Sequence, residues 1–342
     1  MKIMTLKDIA ITYFDALDHT TIRRPIDSSH GPDDIRLAYV IDEKYVLHCY
    51  SSGTLTEKDL QAIRRLVLRH REIGVWAPMP ISVKNSDRLL TCVEEEGVSY
   101  SCYLEEFAPF AFFDEANANL YAMKAEVLPF LGRLASRYTN TDLVDRYSMW
   151  SIVDRSPFDD EVDEKQENID ALCAALGDHP LAARIRDLNQ RARARIQKRL
   201  EELPRCVFQG DLNPSNLLVD SEGRFCGIID FNLFGTDVNI NCFLNEAMYF
   251  LTGEDFSELS SIQLLRKLCT IQNDLLAKIL TEYTLAEVEE SLLEEYRFLV
   301  LIGFYPNVQL LVRELQKVSG REKVCDLITL ICDAYEQNAS PA

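Results

Sequence analysis

Apolar and polar positions change period about one third of the way along the chain. Arg36–Ile41 and Lys44–Tyr50 alternate as strands and meet at Asp42-Glu43, which predicts a hairpin. Thr56 with Asp59 three residues later forms a capping-box pattern. Leu60, Ile63, Val67 and Ile73 then recur at helical spacing, and Gly74, Pro78 and Pro80 end that helix. Leu89–Glu94 and Val98–Phe107 read as a second hairpin around Glu95-Glu96-Gly97. After Pro109 the texture turns helical. Val127, Leu128, Leu131, Leu134 and Ala135 form one stripe, and a long charged helix is expected from His179 to Leu203, stopped by Pro204. Arg205–Asn232 is strand-like again and punctuated by glycine, and from about Ser257 three or more amphipathic helices follow.

A chain of 342 residues exceeds a usual single core, so two lobes are expected. The change of texture puts the boundary near 107–110. Residues 1–107 form a sheet-plus-helix N-lobe, 108–342 a C-lobe, and Leu104-Glu105-Glu106-Phe107 a hinge at about 104–108. The net charge of −19 disfavours nucleic acid or an anionic membrane as partner. It is compatible with a cationic small molecule, although many cytosolic proteins are simply acidic. The ten cysteines include no CxxC pair and lie mostly in apolar runs, which reads as buried reduced thiols rather than disulfides or zinc ligands. The first residues are too polar for a signal peptide. The longest apolar run, Phe298–Phe304, is far short of a membrane span, so a cytoplasmic setting is expected.

The chemistry concentrates in Cys206–Asp220 and Gly227–Asn232. Asp211 and Asn216 stand five positions apart in a loop containing Pro214. A hairpin turning at Ser221-Glu222-Gly223 follows and ends in Asp230. Phosphoryl transfer needs one carboxylate to orient a hydroxyl and accept its proton, and oxygen ligands to hold Mg²⁺ against the phosphates. Asp211 suits the first task, and Asn216 and Asp230 the second. Asp211, Asn213 and Ser215 are also ordinary turn formers around Pro214, and Asp230 an ordinary strand-end cap. The joint pattern is much rarer than its parts and favours the chemical reading.

This segment resembles the catalytic and metal-binding motifs of the aminoglycoside phosphotransferase and choline kinase-like family, relatives of the protein kinases. The resemblance is specific over Phe208–Asn232 and weaker over Tyr39–Pro80. It implies an α+β, bilobal protein-kinase-like fold, with a small antiparallel-sheet N-lobe and a mainly helical C-lobe. ATP or GTP with Mg²⁺ is implied as co-substrate, and a small hydroxyl-bearing molecule as acceptor. Asp211 matches the catalytic base, and Asn216 and Asp230 match the metal ligands. Leu218 and Ile229 match an apolar shelf for the adenine, and main-chain groups of Glu105, Glu106 and Phe107 match the contacts to the purine edge.

Three positions depart from the family pattern. Gln209 stands where a His is usual, and Gln can also hydrogen-bond the loop backbone. Asn232 replaces an Asp, removing a charge. His48 stands where the N-lobe strand carries the phosphate-binding Lys or Arg. The following helix offers only Glu57, Asp59 and Gln61 as polar partners, and Ser28–Pro32 is a poor phosphate loop. The leading reading is an active small-molecule kinase for an aminoglycoside-, choline-, amino acid- or sugar-like acceptor. The −19 charge and Asp237, Glu246, Glu294 and Glu295 suggest a cationic acceptor. The alternative is a nucleotide-binding, pseudokinase-like protein with little turnover. A protein kinase is disfavoured, because Gly235-Thr236-Asp237-Val238-Asn239 leads straight into an apolar helix with no activation segment.

Overall fold

The computed structural model describes residues 9, 12–13, 21–23, 25–29, 31, 34–51, 55–95, 98–116, 118–154 and 162–339. Part of the Ser28–Pro32 loop and the tip of the second hairpin lie outside them. Numbered along the chain, the strands are β1 (Ile26–Asp27), β2 (Arg36–Ile41), β3 (Tyr45–Ser51), β4 (Pro80–Ile81), β5 (Leu90–Glu95), β6 (Val98–Glu106), β7 (Ala111–Phe112), β8 (Arg205–Phe208), β9 (Leu217–Val219), β10 (Phe225–Ile228) and β11 (Gly235–Val238). The helices are α1 (Glu57–Glu72), α2 (Leu120–Val127), α3 (Pro129–Tyr138), α4 (Glu164–Leu176), α5 (Pro180–Arg199), α6 (Asn239–Glu246), α7 (Gly253–Glu258), α8 (Ser261–Ile279), α9 (Glu287–Ser291), α10 (Leu293–Gly303), α11 (Tyr305–Leu315) and α12 (Val318–Asn338).

The chain divides into two compact units. One comprises Met1–Asn117 with Asn213–Asn232, and the other Ala118–Leu212 with Leu233–Ala342. In the first unit an antiparallel sheet runs β1-β2-β3-β6-β4, with β5 also paired to β6. The β2–β3 hairpin turns at Asp42 and Glu43, both at φ 53°. Leu47, Cys49, Cys102 and Leu104 share one face and build a core with Ile41 and Val93. Helix α1 starts as its capping box predicts: Thr56 accepts from the Asp59 N–H, and the Asp59 carboxylate accepts from the Thr56 N–H. A second sheet, β10-β9-β7, completes this unit. It joins the chain after α1 at Trp76, where the Trp76 N–H donates to Cys226 O and the Ile228 N–H to Trp76 O, each at 2.9 Å. A Cβ on Gly227 would lie 2.7 Å from the Trp76 carbonyl oxygen, so this crossing requires glycine.

The second unit is helical, with one two-stranded ribbon, β8 against β11. Its core is α10, whose Phe298–Ile302 are all buried. Helices α4, α5 and α11–α12 pack around α10 and one another. The stripe from Val127 to Ala135 is two helices rather than one. Pro129 opens the second, since its missing N–H and fixed φ suit a first turn and break the preceding one. Helix α4 and the short strands β7 and β11 were absent from the sequence reading. For α4 the signals were present in Asp163, which caps the Gln166 N–H, and in Gly177 at its end. All ten cysteines are free thiols. Among the described residues no single helix is long and apolar enough to cross a membrane. The pair α10–α11 passes that test of length and composition jointly, bent by 50°.

Candidate active site

In the first unit the polar face of β3 and β6 holds a connected cluster. Side chains two apart on a strand share a face, and opposite residues touch. His48 and Tyr50 on β3 therefore meet Tyr103 and Glu105 on β6, with His48 directly opposite Tyr103. The His48 and Tyr103 rings stack at 4.6 Å and 11°. His48 Nε2 donates to Glu105 Oε1 at 2.9 Å, and Tyr50 Oη lies 3.2 Å from His48 Nδ1. A carboxylate only accepts, so the proton on Nε2 is assigned from the hydrogen bonding, and an unprotonated Nδ1 accepts a hydrogen bond from the Tyr50 hydroxyl. Burial first, and the Asp230 carboxylate second, push the Tyr50 hydroxyl well above its ordinary pKa. Asp230 also acts on Tyr103. The field of Asp230 thus reaches the same face as His48.

The hairpin β9–β10 explains how Asp230 joins Asn216. Leu217 opposes Ile228 across this pair. Just outside it, the Ile229 N–H donates to the Asn216 carbonyl at 3.0 Å. The turn is held by the Asp220 carboxylate, which accepts from the N–H groups of Glu222 and Arg224 at 2.9 and 3.0 Å. Asn216 is buried in a short 3-10 turn opened by Pro214. Asp230 stands at φ 60°, a left-handed conformation uncommon outside glycine that tends to persist at functional positions. Its Oδ1 lies 3.3 Å from the Asn232 N–H. One amide carbonyl and one carboxylate at the mouth of one hairpin are hard oxygen donors. They fit Mg²⁺, which takes one or two protein oxygens and completes its shell with phosphates and water.

Leu218 is fully buried between Phe112 on β7 and Gly227 on β10, whereas Ile229 is half-buried. At the expected hinge the Glu106 N–H donates to Met79 O at 3.2 Å and the Phe107 N–H to Lys44 O at 2.8 Å. Both donors are engaged within the unit. Glu106 pairs through its side chain with Arg71. Glu105, expected to serve through its main chain, instead offers its carboxylate to His48. Glu57 caps β5 by accepting the N–H groups of Leu89 and Leu90, and Asp59 caps α1, so neither supplies that carboxylate.

The second unit carries Asp211, just after β8. Gln209, in place of a His, accepts the Asp211 N–H on Oε1 at 2.7 Å. Gly210 at φ 86° makes the sharp turn, and a Cβ there would lie 2.3 Å from Leu233 O. On α6, Glu246 is buried and feels the Asp211 carboxylate. Burial first pushes Glu246 up to about 7; Lys124 opposes this and Asp211 adds to it. Lys124 Nζ also donates to the Glu246 main-chain oxygen at 2.8 Å. The other carboxylates that suggested a cationic acceptor are engaged as well. Asp237 accepts from Ser148 Oγ at 2.7 Å and Asn241 Nδ2 at 2.9 Å, Glu294 lies 3.3 Å from Arg297, and Glu295 lies 2.9 Å from Arg195.

Residues 39–238 match the model of the phosphotransferase enzyme family, APH, which is more than half of the chain. The chain belongs to the phosphotransferase enzyme family. Its match spans every motif residue from His48 to Asp230. Among solved structures, a microcompartment-associated aminopropanol kinase superposes with TM-score 0.52 at 15% identity, covering 96% of this chain and 95% of that one. The amicoumacin kinase hAmiN, in complex with AMP-PNP, Ca²⁺ and Ami, superposes with TM-score 0.53 at 11% identity, covering 97% and 95%. At such identities these likenesses show the fold, which is protein-kinase-like, with an antiparallel-sheet N-terminal region and a helical C-terminal region. No protein of curated function matches the chain in sequence.

Proposed function

We propose that this family member transfers the γ-phosphoryl group of ATP or GTP to a hydroxyl of a small molecule. Asn216 and Asp230 hold Mg²⁺ on the phosphates, His48 faces them as the strand cation, and Asp211 orients the acceptor hydroxyl and takes its proton. The metal supplies charge neutralisation at the phosphates, which is most of what this chemistry demands. Ile229, half-buried, offers the apolar shelf for the base, and Leu218 would join it only if its cover in the unit opened. The lobe boundary near residue 108 belongs to the same reading, as do main-chain contacts of 105–107 to the purine, which the Glu106 and Phe107 N–H groups could make only by leaving Met79 and Lys44. The observation that carries it is the pairing of Asn216 with Ile229-Asp230 across one hairpin, on the unit that also bears the His48–Glu105 pair.

One observation favours the second reading, a nucleotide binder with little turnover. The place expected for the phosphate-binding lysine is held by an imidazole that is already hydrogen-bonded to Glu105. The acceptor is a small hydroxyl compound of the aminoglycoside-, choline-, amino acid- or sugar-like classes. Its cationic character rests on the net charge of −19, since the carboxylates first cited for it have partners inside the protein. A thermal-shift screen with ATP and GTP, with and without Mg²⁺ and then with candidate acceptors, tests the proposal. Nucleotide stabilisation that requires Mg²⁺, followed by acceptor-dependent release of ADP or GDP, is expected. Nucleotide binding without turnover on any acceptor class would favour the second reading.

A further inference from the structure

Lys165, the second residue of α4, is fully buried, and its Nζ has no hydrogen-bond partner among the described residues. An ammonium carries three donors and no acceptor, and burying it unspent is costly. A lysine in the first turn of a helix also opposes the helix dipole. The carboxylates around it are committed elsewhere. Asp163 pairs with Arg193, Glu164 Oε1 takes Asn168 Nδ2 at 3.3 Å, and Asp237 takes Ser148 Oγ at 2.7 Å. Glu164 Oε2 is buried without a partner, so one helix turn leaves one donor and one acceptor unspent. Lys165 Nζ lies 4.6 Å from the Trp150 ring and 5.7 Å from that of Phe304. Two aromatic faces of this kind would suit a quaternary ammonium such as choline, but the protein's own cation fills the place. Trp150 Nε1 and the neighbouring Ser151 Oγ are also buried and unpartnered. An ammonium and an indole N–H can only donate, and a hydroxyl can donate as well, so this cluster suits an acceptor-rich group such as a carboxylate.

The cluster is tied to the strand that leads into Asp211. The Trp150 carbonyl accepts from Asn241 Nδ2 on α6 at 2.7 Å, and Ser148 holds Asp237 on β11. Strand β11 pairs with β8, Asp237 opposite Cys206, and Asp211 follows Cys206 by five residues. On its other side Phe304 meets Phe250 at 5.4 Å, and Lys124 Nζ lies 5.0 Å from the Phe250 ring. Trp150 and Phe250 are half-buried, so this aromatic row meets solvent at both ends. We propose that Lys165 binds a carboxylate of the acceptor and thereby selects hydroxyl amino acids among the acceptor classes named above. Aminoglycosides, choline and neutral sugars bring no carboxylate. This rests on the reading of the chain as a small-molecule kinase with Asp211 as base. The Trp150 indole lies against the buried ammonium, so a carboxylate that reaches Nζ shifts it, which gives binding an optical signal.

The test uses full-length Trp76→Phe protein with MgADP, in which Trp150 is the remaining tryptophan. L-Serine, L-threonine and L-homoserine are each compared with the amino alcohol that lacks the carboxylate: ethanolamine, 1-aminopropan-2-ol and 3-aminopropan-1-ol. At least one amino acid should change the Trp150 emission with a Kd at least tenfold below that of its amino alcohol. Lys165→Met should remove this advantage, and Lys165→Arg should restore part of it, because the guanidinium keeps the charge. With MgATP, kcat/KM for the same amino acid should fall at least tenfold in Lys165→Met. A lysine with a purely structural role would shift the melting temperature alone. No response to any of the amino acids up to about 10 mM, tenfold above the usual range of KM, overturns the proposal. So does a carboxylate advantage that survives in Lys165→Met. A carboxylate-dependent emission change with no phosphoryl transfer to the bound amino acid would instead overturn the kinase reading, and wild-type transfer by Asp211→Asn the assignment of the base.

Discussion

The imidazole of His48 donates from Nε2 to the carboxylate of Glu105 at 2.9 Å while its ring stacks on Tyr103 at 4.6 Å. Protein kinases pair a strand lysine with a carboxylate from a helix; the His48–Glu105 pair instead joins β3 to the neighbouring strand β6. The polar residues of α1 nearest in sequence are spent on its own cap and on the start of β5. The pairing therefore lies within the sheet, where the register of β3 on β6 determines it.

From this follows a test of His48 by charge. A permanent positive charge beside a triphosphate favours binding, so His48→Lys should tighten nucleotide binding and His48→Ala should weaken it. Titration calorimetry of wild type, His48→Ala and His48→Lys, with metal saturating throughout, checks this. Three superimposable curves would show that His48 does not touch the phosphates.

The hairpin of β9 and β10 predicts a metal phenotype. Asp230→Asn should abolish the Mg²⁺ dependence of nucleotide binding and weaken it by tenfold or more, that is by at least about 1.4 kcal/mol. Asn216→Ala should do the same more mildly, since a neutral carbonyl contributes less than a carboxylate to a hard cation. Equal nucleotide affinity with and without Mg²⁺ in wild type would remove the metal assignment.

Asp211→Asn should separate binding from chemistry. The Gln209 hydrogen bond to the main chain at 211 does not depend on the side chain there, so the loop geometry should persist. Nucleotide affinity should stay within about threefold of wild type, while kcat on an identified acceptor falls about 10² to 10⁴-fold, as loss of a general base implies. Near wild-type kcat in this variant would mean that Asp211 is not the base.

Glu246 also makes a stability prediction with a definite sign. Its folded-state carboxyl is raised from an ordinary 4.5 to about 7, so the folded chain binds the proton more tightly than the unfolded one. Wild type should therefore lose stability relative to Glu246→Gln as pH rises from 4.5 to 7, and level off above. The span is at most about 3 kcal/mol by linkage. Asp237, pushed up to about 6 chiefly by burial, adds a contribution of the same sign in both proteins that cancels in the comparison. Urea midpoints of the two proteins across this range measure it. A wild-type stability that stays constant or rises relative to Glu246→Gln over this range would contradict the burial of Glu246 as a raised carboxyl.

Strands β2, β3, β5 and β6, the cap of α1 and the turn at Ser221–Gly223 were legible in the sequence because each rests on neighbours within a few residues: alternation, a capping box, a Gly-containing turn. The spacing of Asp211, Asn216 and Asp230, on which the proposed site rests, is also a local signal. The split of one apolar stripe into α2 and α3 needed only Pro129 to be given its weight. Glu105 as the partner of His48 and Trp76 as the reason for Gly227 were not legible. Each joins residues far apart in the chain. Strand register decides the first and the close approach of two backbones the second. A carboxylate on a strand or at a helix end looks the same in a sequence whether it faces water or a buried N–H. Only the tertiary structure, by removing water from around it, gives it a task.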